Sequence, residues 1–357
     1  MNHSILNQFK NSDLISQLVQ EISTWDKPVK LMEVCGTHTM AIGKWGIRKL
    51  LPPSISLISG PGCPVCVTPS SMIDTLVNFK HNVAIATFGD LIRVPGKKYS
   101  LEQARANGSD IRIVYSPFDA LKFTKEKETM FIGIGFETTS PGVAYTLAYA
   151  QKNNIKNFSV FPAFKIIPPA FDALLSAKDV QIDGFILPGH VSTIIGANAY
   201  EFLPDKYGIG GVITGFEPLD ILLGIKMLLD QIKNNKPAIG IEYKRCVKKE
   251  GNQEALSLLN EVFCIEDSVW RGLGLIKESG LGISKKYSDF DAKIKYDISI
   301  PVEPEDKTGC RCGDVLKGKI IPPQCPLFKK VCKPENPIGP CMVSFEGSCA
   351  AYYRYET

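Results

Sequence analysis

The sequence lacks any apolar run of roughly 18 residues, the length that a membrane-spanning helix needs. Its first thirty residues also lack the charged, apolar and small-residue order of a secretory signal peptide. Charge of one sign is not concentrated either: 41 Lys and Arg are mixed with 37 Asp and Glu, and no long basic block is present. We therefore expect a cytoplasmic protein that binds neither membranes nor nucleic acid.

Cysteine, in contrast, is abundant, with 11 in 357 residues. In the cytoplasm thiols are kept reduced, so this number favours metal ligands or redox groups over structural disulfides. Cys35, Cys63 and Cys66 come early, whereas six cysteines crowd the last 48 residues, a clustering that core packing does not produce. Cys246 and Cys264 stand alone, and we interpret them as buried, inert thiols.

The early pair Cys63 and Cys66 lies in a turn rich in Gly and Pro, directly after an apolar run at 55–58 that predicts a buried strand. A C-x-x-C pair can form a disulfide, share a metal, or lower the pKa of one thiol below about 8.5. Pro64 restricts the backbone between the two cysteines and favours one presentation of the sulfur atoms. Two structural cysteines remain the alternative interpretation.

Short apolar runs alternate with helical patterns up to about residue 232, which is typical of β-α-β units and a parallel sheet. The predicted fold class is α/β, with two Rossmann-like parallel-sheet lobes facing a cleft and a C-terminal cysteine-rich domain. The predicted boundaries are a helical segment at 1–26, α/β domains at 27–118 and 119–234, and a final domain at 235–357. Within that last region we expect one strand at 239–249 and a helix at 252–262, with little periodicity from 270 to 297.

Polar side chains follow the carboxyl ends of several predicted strands, where open α/β sheets bind ligands. Thr138, Thr139 and Ser192 are also good helix caps, which is the alternative interpretation of each one alone. Their coincidence at one edge favours a site, and its candidates are Cys35, Thr37, His38, Cys63, Cys66, Glu137, Thr138, Thr139, His190 and Glu217.

Four cysteines of the tail have the spacing C-x12-C-x6-C-x16-C, with prolines between them: Cys312, Cys325, Cys332 and Cys349. Proline-rich turns bring such ligands to one centre without helix or sheet. Four thiolates suit zinc or an iron–sulfur cluster, and the spacing matches neither a zinc ribbon nor a ferredoxin. The thiol pair upstream favours the redox-active cluster, because zinc could not accept an electron from it.

Five ordered motifs together resemble the hydrogenase-formation family HypD. The resemblance runs from about residue 27 to the C-terminus and rests on residues 35–38, 60–68, 135–139, 188–191 and the tail from 312 to 353. It implies a scaffold for assembly of the Fe(CN)2CO group of nickel–iron hydrogenases. It also implies two partners, a small HypC-type chaperone whose N-terminal cysteine shares the iron and a HypE-type donor of cyanide made from carbamoyl phosphate.

Carried onto this chain, the resemblance implies that Cys35 is the iron ligand, with His38 nearby, and that Cys63 and Cys66 are a redox pair. It implies a [4Fe-4S] cluster on Cys312, Cys325, Cys332 and Cys349, and a cleft lined by Glu137, Thr138, Thr139 and His190. No role is assigned to Cys310 or Cys341. Whether such a scaffold is an enzyme is a matter of definition, since its product stays bound until it is handed on.

Two other functional classes fit parts of the sequence. A thiol-disulfide oxidoreductase with an iron–sulfur cluster would use Cys63 and Cys66 on diffusible substrates. A zinc-stabilised ligand-binding protein of two lobes would hold zinc in the tail and show no visible absorption.

Overall fold

The computed structural model describes residues 12–177, 180–301 and 309–356. The predicted N-terminal helical segment lies partly outside these residues, and its described part is helix α1, Ser12–Ser23. In the described ranges no helix combines the length and the apolar character needed to cross a membrane.

The first sheet has five strands, all parallel, in the order β2-β1-β7-β8-β9. Most of its residues are buried, as the apolar runs predict for strands covered on both faces. The strands are β1 Val29–Glu33, β2 Ile55–Ser59, β7 Gly184–Pro188, β8 Gly210–Thr214 and β9 Ile239–Ile241.

The second sheet has six strands in the order β10-β11-β6-β5-β3-β4. Strands β3 to β6 are parallel, whereas β10 and β11 form an antiparallel hairpin that joins the edge at β6. The strands are β3 Ala84–Thr87, β4 Ile111–Ile113, β5 Thr129–Gly135, β6 Phe158–Lys165, β10 Phe263–Trp270 and β11 Gly274–Ile283.

Helices connect the strands and cover both sheets. After α1 they are α2 Gly36–Lys44, α3 Ile47–Leu50, α4 Ser70–Val77, α5 Leu101–Ala106, α6 Ser140–Lys152, α7 Ile167–Ser176, α8 Gly189–Ile195, α9 Pro218–Lys233, α10 Gln253–Val262, α11 Ala292–Lys295, α12 Cys312–Leu316 and α13 Ser348–Tyr355. The tail from 309 to 356 contains α12, α13 and turns but no sheet strand, in agreement with its proline content.

The two sheets do not divide the chain into the predicted contiguous domains. Strands β1 and β2 pair with β7 to β9, while β3 to β6 between them form the second sheet together with the hairpin. Each sheet therefore takes strands from both sides of the predicted boundary at 118. One buried apolar cluster contains residues of both sheets and of the tail, among them Met32, Ile85 and Cys312, so the core is continuous across them.

Two expectations for the region after 235 are wrong. The predicted strand at 239–249 ends at Ile241, because Glu242 N and Tyr243 N both donate to the same carbonyl, Ile213 O, at 2.9 and 3.1 Å, and the chain then turns at 244–246. The hairpin of β10 and β11 lies in a region where the sequence predicts no strand. Its apolar residues Ile265 and Leu275 are exposed, so the alternation that marks a half-buried strand is lost.

Candidate functional site

Both sheets have a point where the strand order reverses, and in such folds ligands bind beside the carboxyl ends of the two strands at that point. In the first sheet these strands are β1 and β7, and in the second they are β3 and β5. One cavity of about 280 Å³ is lined by residues that follow all four strands. Its polar and thiol side chains are Cys35 and Thr37 after β1, Asp90 after β3, Thr138 and Thr139 after β5, His190 after β7, and Glu346 from the tail.

Close backbone contact holds the two thiol-bearing turns together at this edge. Strands β1 and β2 are in parallel register, so Glu33 and Ser59 end side by side. Gly36 N donates a hydrogen bond to Gly62 O at 2.9 Å. A Cβ atom on Gly62 would lie 2.2 Å from Cys35 N, so only glycine allows the turn to approach so closely.

Cys35 lies at the wall of the cavity, directly before α2. Its side chain is buried. This burial is the larger cause, and the negative charge of Glu346 the second, of a pKa of the Cys35 thiol raised to about 12. The thiol therefore keeps its proton at neutral pH. A bound cation would reverse this preference, because a metal ion stabilises the thiolate that coordinates it.

Glu33 supports Cys35 from beneath and was not a sequence candidate. Its Oε2 accepts a hydrogen bond from Cys35 N at 3.2 Å, and its Oε1 accepts one from the Thr39 hydroxyl at 2.6 Å. The residue is fully buried, and this burial raises the pKa of its carboxyl to about 7. Glu33 thereby fixes the turn that carries the thiol.

The two candidate histidines occupy different places. His190 lines the cavity and is partly exposed, whereas His38 is fully buried and does not line it. His38 Nε2 lies 2.9 Å from both Gly215 O and Thr214 Oγ1, and burial lowers its pKa to about 4. Phe216 lies between the two imidazoles, with ring centroids 4.0 Å from His190 and 4.7 Å from His38. His38 is thus a neutral ring that supports His190 through Phe216.

Cys63 and Cys66 form a disulfide, with their Cα atoms 5.2 Å apart. Both residues are buried, with exposed fractions of 3% and 0%. Neighbouring residues Gly62, Pro64 and Val65 line the cavity, so the sulfur atoms lie behind its wall.

The turn after β5 separates its three candidates. Thr138 and Thr139 line the cavity, but Glu137 is buried: its Oε1 accepts a hydrogen bond from Ile167 N at 2.9 Å, and Oε2 has no partner within the described residues. Burial raises the pKa of Glu137 to about 7.

Two of the three residues that the sequence offers as helix caps, Thr139 and Ser192, do not cap a helix through their side chains. Thr139 makes no capping hydrogen bond, and Ser192 lies inside α8 and donates to Pro188 O at 2.7 Å. Glu217 occupies the N-cap position of α9, where its backbone N–H donates a hydrogen bond to Asp220 Oδ2 at 3.2 Å, but its side chain makes no capping bond.

Six cysteines of the tail surround a single small cavity. They are the four predicted ligands, Cys312, Cys325, Cys332 and Cys349, together with Cys310 and Cys341. Within 12–177, 180–301 and 309–356, no three His, Cys, Asp or Glu side chains are close enough to hold one metal ion. The thiols instead contact each other: hydrogen bonds from Cys310 and Cys341 hold the pKa of Cys312 well below its usual value.

Cys246 and Cys264 are both exposed, so the interpretation of these two as buried thiols is wrong. Cys264 lies on edge strand β10, and Cys246 lies in the turn that follows β9. Neither lines the two cysteine-containing cavities.

A family model named HypD, described as "Hydrogenase formation hypA family", matches residues 11–356. The hydrogenase maturation factor HypD of Escherichia coli is 43% identical over 364 residues, which cover 98% of this chain and 97% of the relative. The chain belongs to the HypD family of hydrogenase maturation proteins. The HypD factors of Rhodobacter capsulatus and Cupriavidus necator are 42% and 39% identical, covering 98% of this chain and 97% and 96% of theirs.

In this HypD-family chain two residues of the cavity, Asp90 and Glu346, were not among the candidates from the sequence. Asp90 could have been predicted, because Gly89 and Asp90 follow a strand in the same way as the other candidates. Glu346 could not, since it reaches the cavity from the far end of the chain. Its Oε1 accepts a hydrogen bond from the Thr37 hydroxyl at 2.7 Å, and burial and the charge of Glu346 raise the pKa of Asp90.

Proposed function

We propose that this HypD-family protein is the scaffold on which the iron of the Fe(CN)2CO group is held during hydrogenase maturation, with Cys35 as its protein ligand. The observation that carries the proposal is the cavity at the two strand-order reversals. It presents a thiol, two carboxyls and an imidazole to one small volume: Cys35, Asp90, Glu346 and His190. A soft thiolate suits an iron that carries cyanide and carbonyl, and the carboxylates attract the cation.

The proton on Cys35 is part of this proposal. At neutral pH the thiol is protonated, so iron that binds Cys35 Sγ must displace that proton. The hydrogen bond from Cys35 N to Glu33 keeps the backbone in place while the charge on sulfur changes. Partner proteins would approach through the open side of the cavity: a HypC-type chaperone that shares the iron and a HypE-type donor of cyanide.

Cys63 and Cys66 would act as the two-electron store beside the cavity. Conversion of their two thiols to the disulfide releases two electrons and two protons, the electron count that reductive transfer of cyanide needs. The Gly62–Val65 turn that carries the pair also forms part of the cavity wall, so oxidation and iron loading share one structural element.

Cys312, Cys325, Cys332 and Cys349 would hold the [4Fe-4S] cluster. The donor set fits, because six thiols and no carboxylate or imidazole line their cavity. When bound, the cluster would supply one-electron transfer to and from the thiol pair. All four cysteines are buried; Cys312 begins α12 and Cys349 lies in the first turn of α13.

Anaerobic purification with metal analysis and an optical spectrum tests both sites. Cys35→Ala should abolish iron loading and leave the brown cluster absorption, and Cys325→Ala should bleach that absorption. Cys246→Ala, which removes an exposed thiol outside both cavities, is the matched control and should change neither. Loss of iron and cluster together in Cys35→Ala would show that the sites are assigned wrongly. An unchanged spectrum in Cys325→Ala would remove that residue from the ligands.

The same preparation distinguishes the two other classes. A thiol-disulfide oxidoreductase is favoured by the disulfide itself, but the sulfur atoms of Cys63 and Cys66 are buried, which keeps them from protein disulfide substrates. We therefore expect no insulin reduction. A zinc-stabilised ligand-binding protein would contain zinc and be colourless.

A further inference from the structure

We propose that Arg271 is a positioning residue that ties the Cys63–Cys66 turn to the tail-cysteine cavity and, by its fixed positive charge, raises the reduction potential of the group held there. The inference rests on the proposed iron–sulfur function of the tail. It concerns the short turn between β10 and β11, to which the proposed function assigns no role.

The backbone of this turn contacts the segment after Cys66 on one side and helix α12, which begins at Cys312, on the other. Arg271 N donates a hydrogen bond of 2.7 Å to Val67 O, one residue after Cys66. On the other side, a Cβ atom on Gly272 would lie 2.5 Å from the Cα atom of Gly313, the neighbour of Cys312. Gly272 also has a φ of +81°, which disfavours any side chain. The turn is therefore wedged between the disulfide turn and helix α12.

The guanidinium group of Arg271 faces the thiols. Its positive charge interacts with Cys312, Cys310 and Cys341, three of the cysteines that line the tail cavity. Arg271 forms no salt bridge with an Asp or Glu of the described ranges, and its Nη1 is buried there without a hydrogen-bond partner.

A buried cation without a carboxylate partner is costly unless negative charge lies beside it. Thiolates that hold a cluster supply such charge, and each added electron increases it. Arg271 therefore stabilises the reduced form more than the oxidised form, because hydrogen bonds and nearby charge set the potentials of iron–sulfur groups. Loss of the charge should lower the potential.

The test is a redox titration of the anaerobically purified full chain, with the optical spectrum as the readout of reduction. Arg271→Gln should make one-electron reduction at least tenfold less favourable, equivalent to about 59 mV. Arg271→Lys keeps the charge and should recover most of that loss. Arg311→Gln is the matched control: it removes the same charge between Cys310 and Cys312, but Arg311 is exposed and pairs with Asp314, so the potential should not change.

Each outcome decides the proposal. A bleached Arg271→Gln with a coloured Arg271→Lys would support it, because the charge would then be required to hold the group. An unshifted potential in a coloured Arg271→Gln, or an equal shift in Arg311→Gln, would overturn it and leave the cluster assignment intact. A colourless, iron-free wild-type protein would overturn the cluster assignment and this inference with it.

Discussion

Glu346→Gln should change the reactivity of Cys35 and its affinity for iron in opposite directions. The substitution keeps the size of the side chain, and the amide oxygen can still accept the hydrogen bond that Thr37 donates to Glu346 Oε1. What it removes is a negative charge on the wall of the cavity that contains Cys35. That charge is the second cause, after burial, of the raised pKa of the thiol.

The size of the effect follows from the pKa of about 12. At pH 9 such a thiol is ionised in roughly one molecule in a thousand. Removing one like charge at close range shifts a pKa by on the order of one unit, or ~1.4 kcal/mol. Since only the thiolate reacts with iodoacetamide, alkylation of Cys35 should become about tenfold faster. Iron(II) binding should weaken in the same variant, because the cation loses a carboxylate.

Mass spectrometry of Cys35 during alkylation of the metal-free protein at pH 9 gives the first quantity, and equilibrium titration with iron(II) gives the second. Glu335→Gln is the matched control, because Glu335 is an exposed tail carboxylate that does not line the cavity. Equal alkylation rates in Glu346→Gln and wild type would refute the reasoning, since burial alone would then set the reactivity. Faster alkylation with unchanged iron affinity would refute the cavity as the site of the cation.

Two further predictions concern stability and thiol exposure. Burial raises the pKa of Glu137 from 4.5 to about 7, so the folded state holds this proton to higher pH than the unfolded state, and the stability it contributes is lost as the pH rises through that window. Between pH 5 and pH 8 the unfolding free energy of Glu137→Gln, measured by denaturant titration, should therefore fall by about 2.5 kcal/mol less than that of the wild type. An equal fall in both proteins would mean that Glu137 ionises normally. Cys246 and Cys264 should react with a thiol reagent in a fast first phase in the native protein, because both are exposed. The double variant Cys246→Ser/Cys264→Ser should lack this phase; a fast phase that remains would come from the tail cysteines.

Local patterns predicted the elements whose burial is simple. Strands such as β1 and β5 are buried through most of their length, so they appear as short apolar runs between turn residues. The hairpin of β10 and β11 was not predicted, because exposed Ile265 and Leu275 interrupt the alternation of buried apolar and exposed polar residues. This hairpin bears on the proposed function, since its turn carries Arg271 between the Cys63–Cys66 turn and the tail-cysteine cavity.

The sequence by itself determined the α/β class, the family, and the residues that follow the carboxyl ends of the strands, because each depends on a pattern within a few consecutive residues. Only the tertiary structure decided how the strands divide between two sheets and which of those residues share a cavity. It brought Asp90 and Glu346 beside Cys35, and it moved His38 and Glu137 behind the wall. The physical reason is that strand pairing and the approach of the tail depend on packing between distant segments, which no local pattern records.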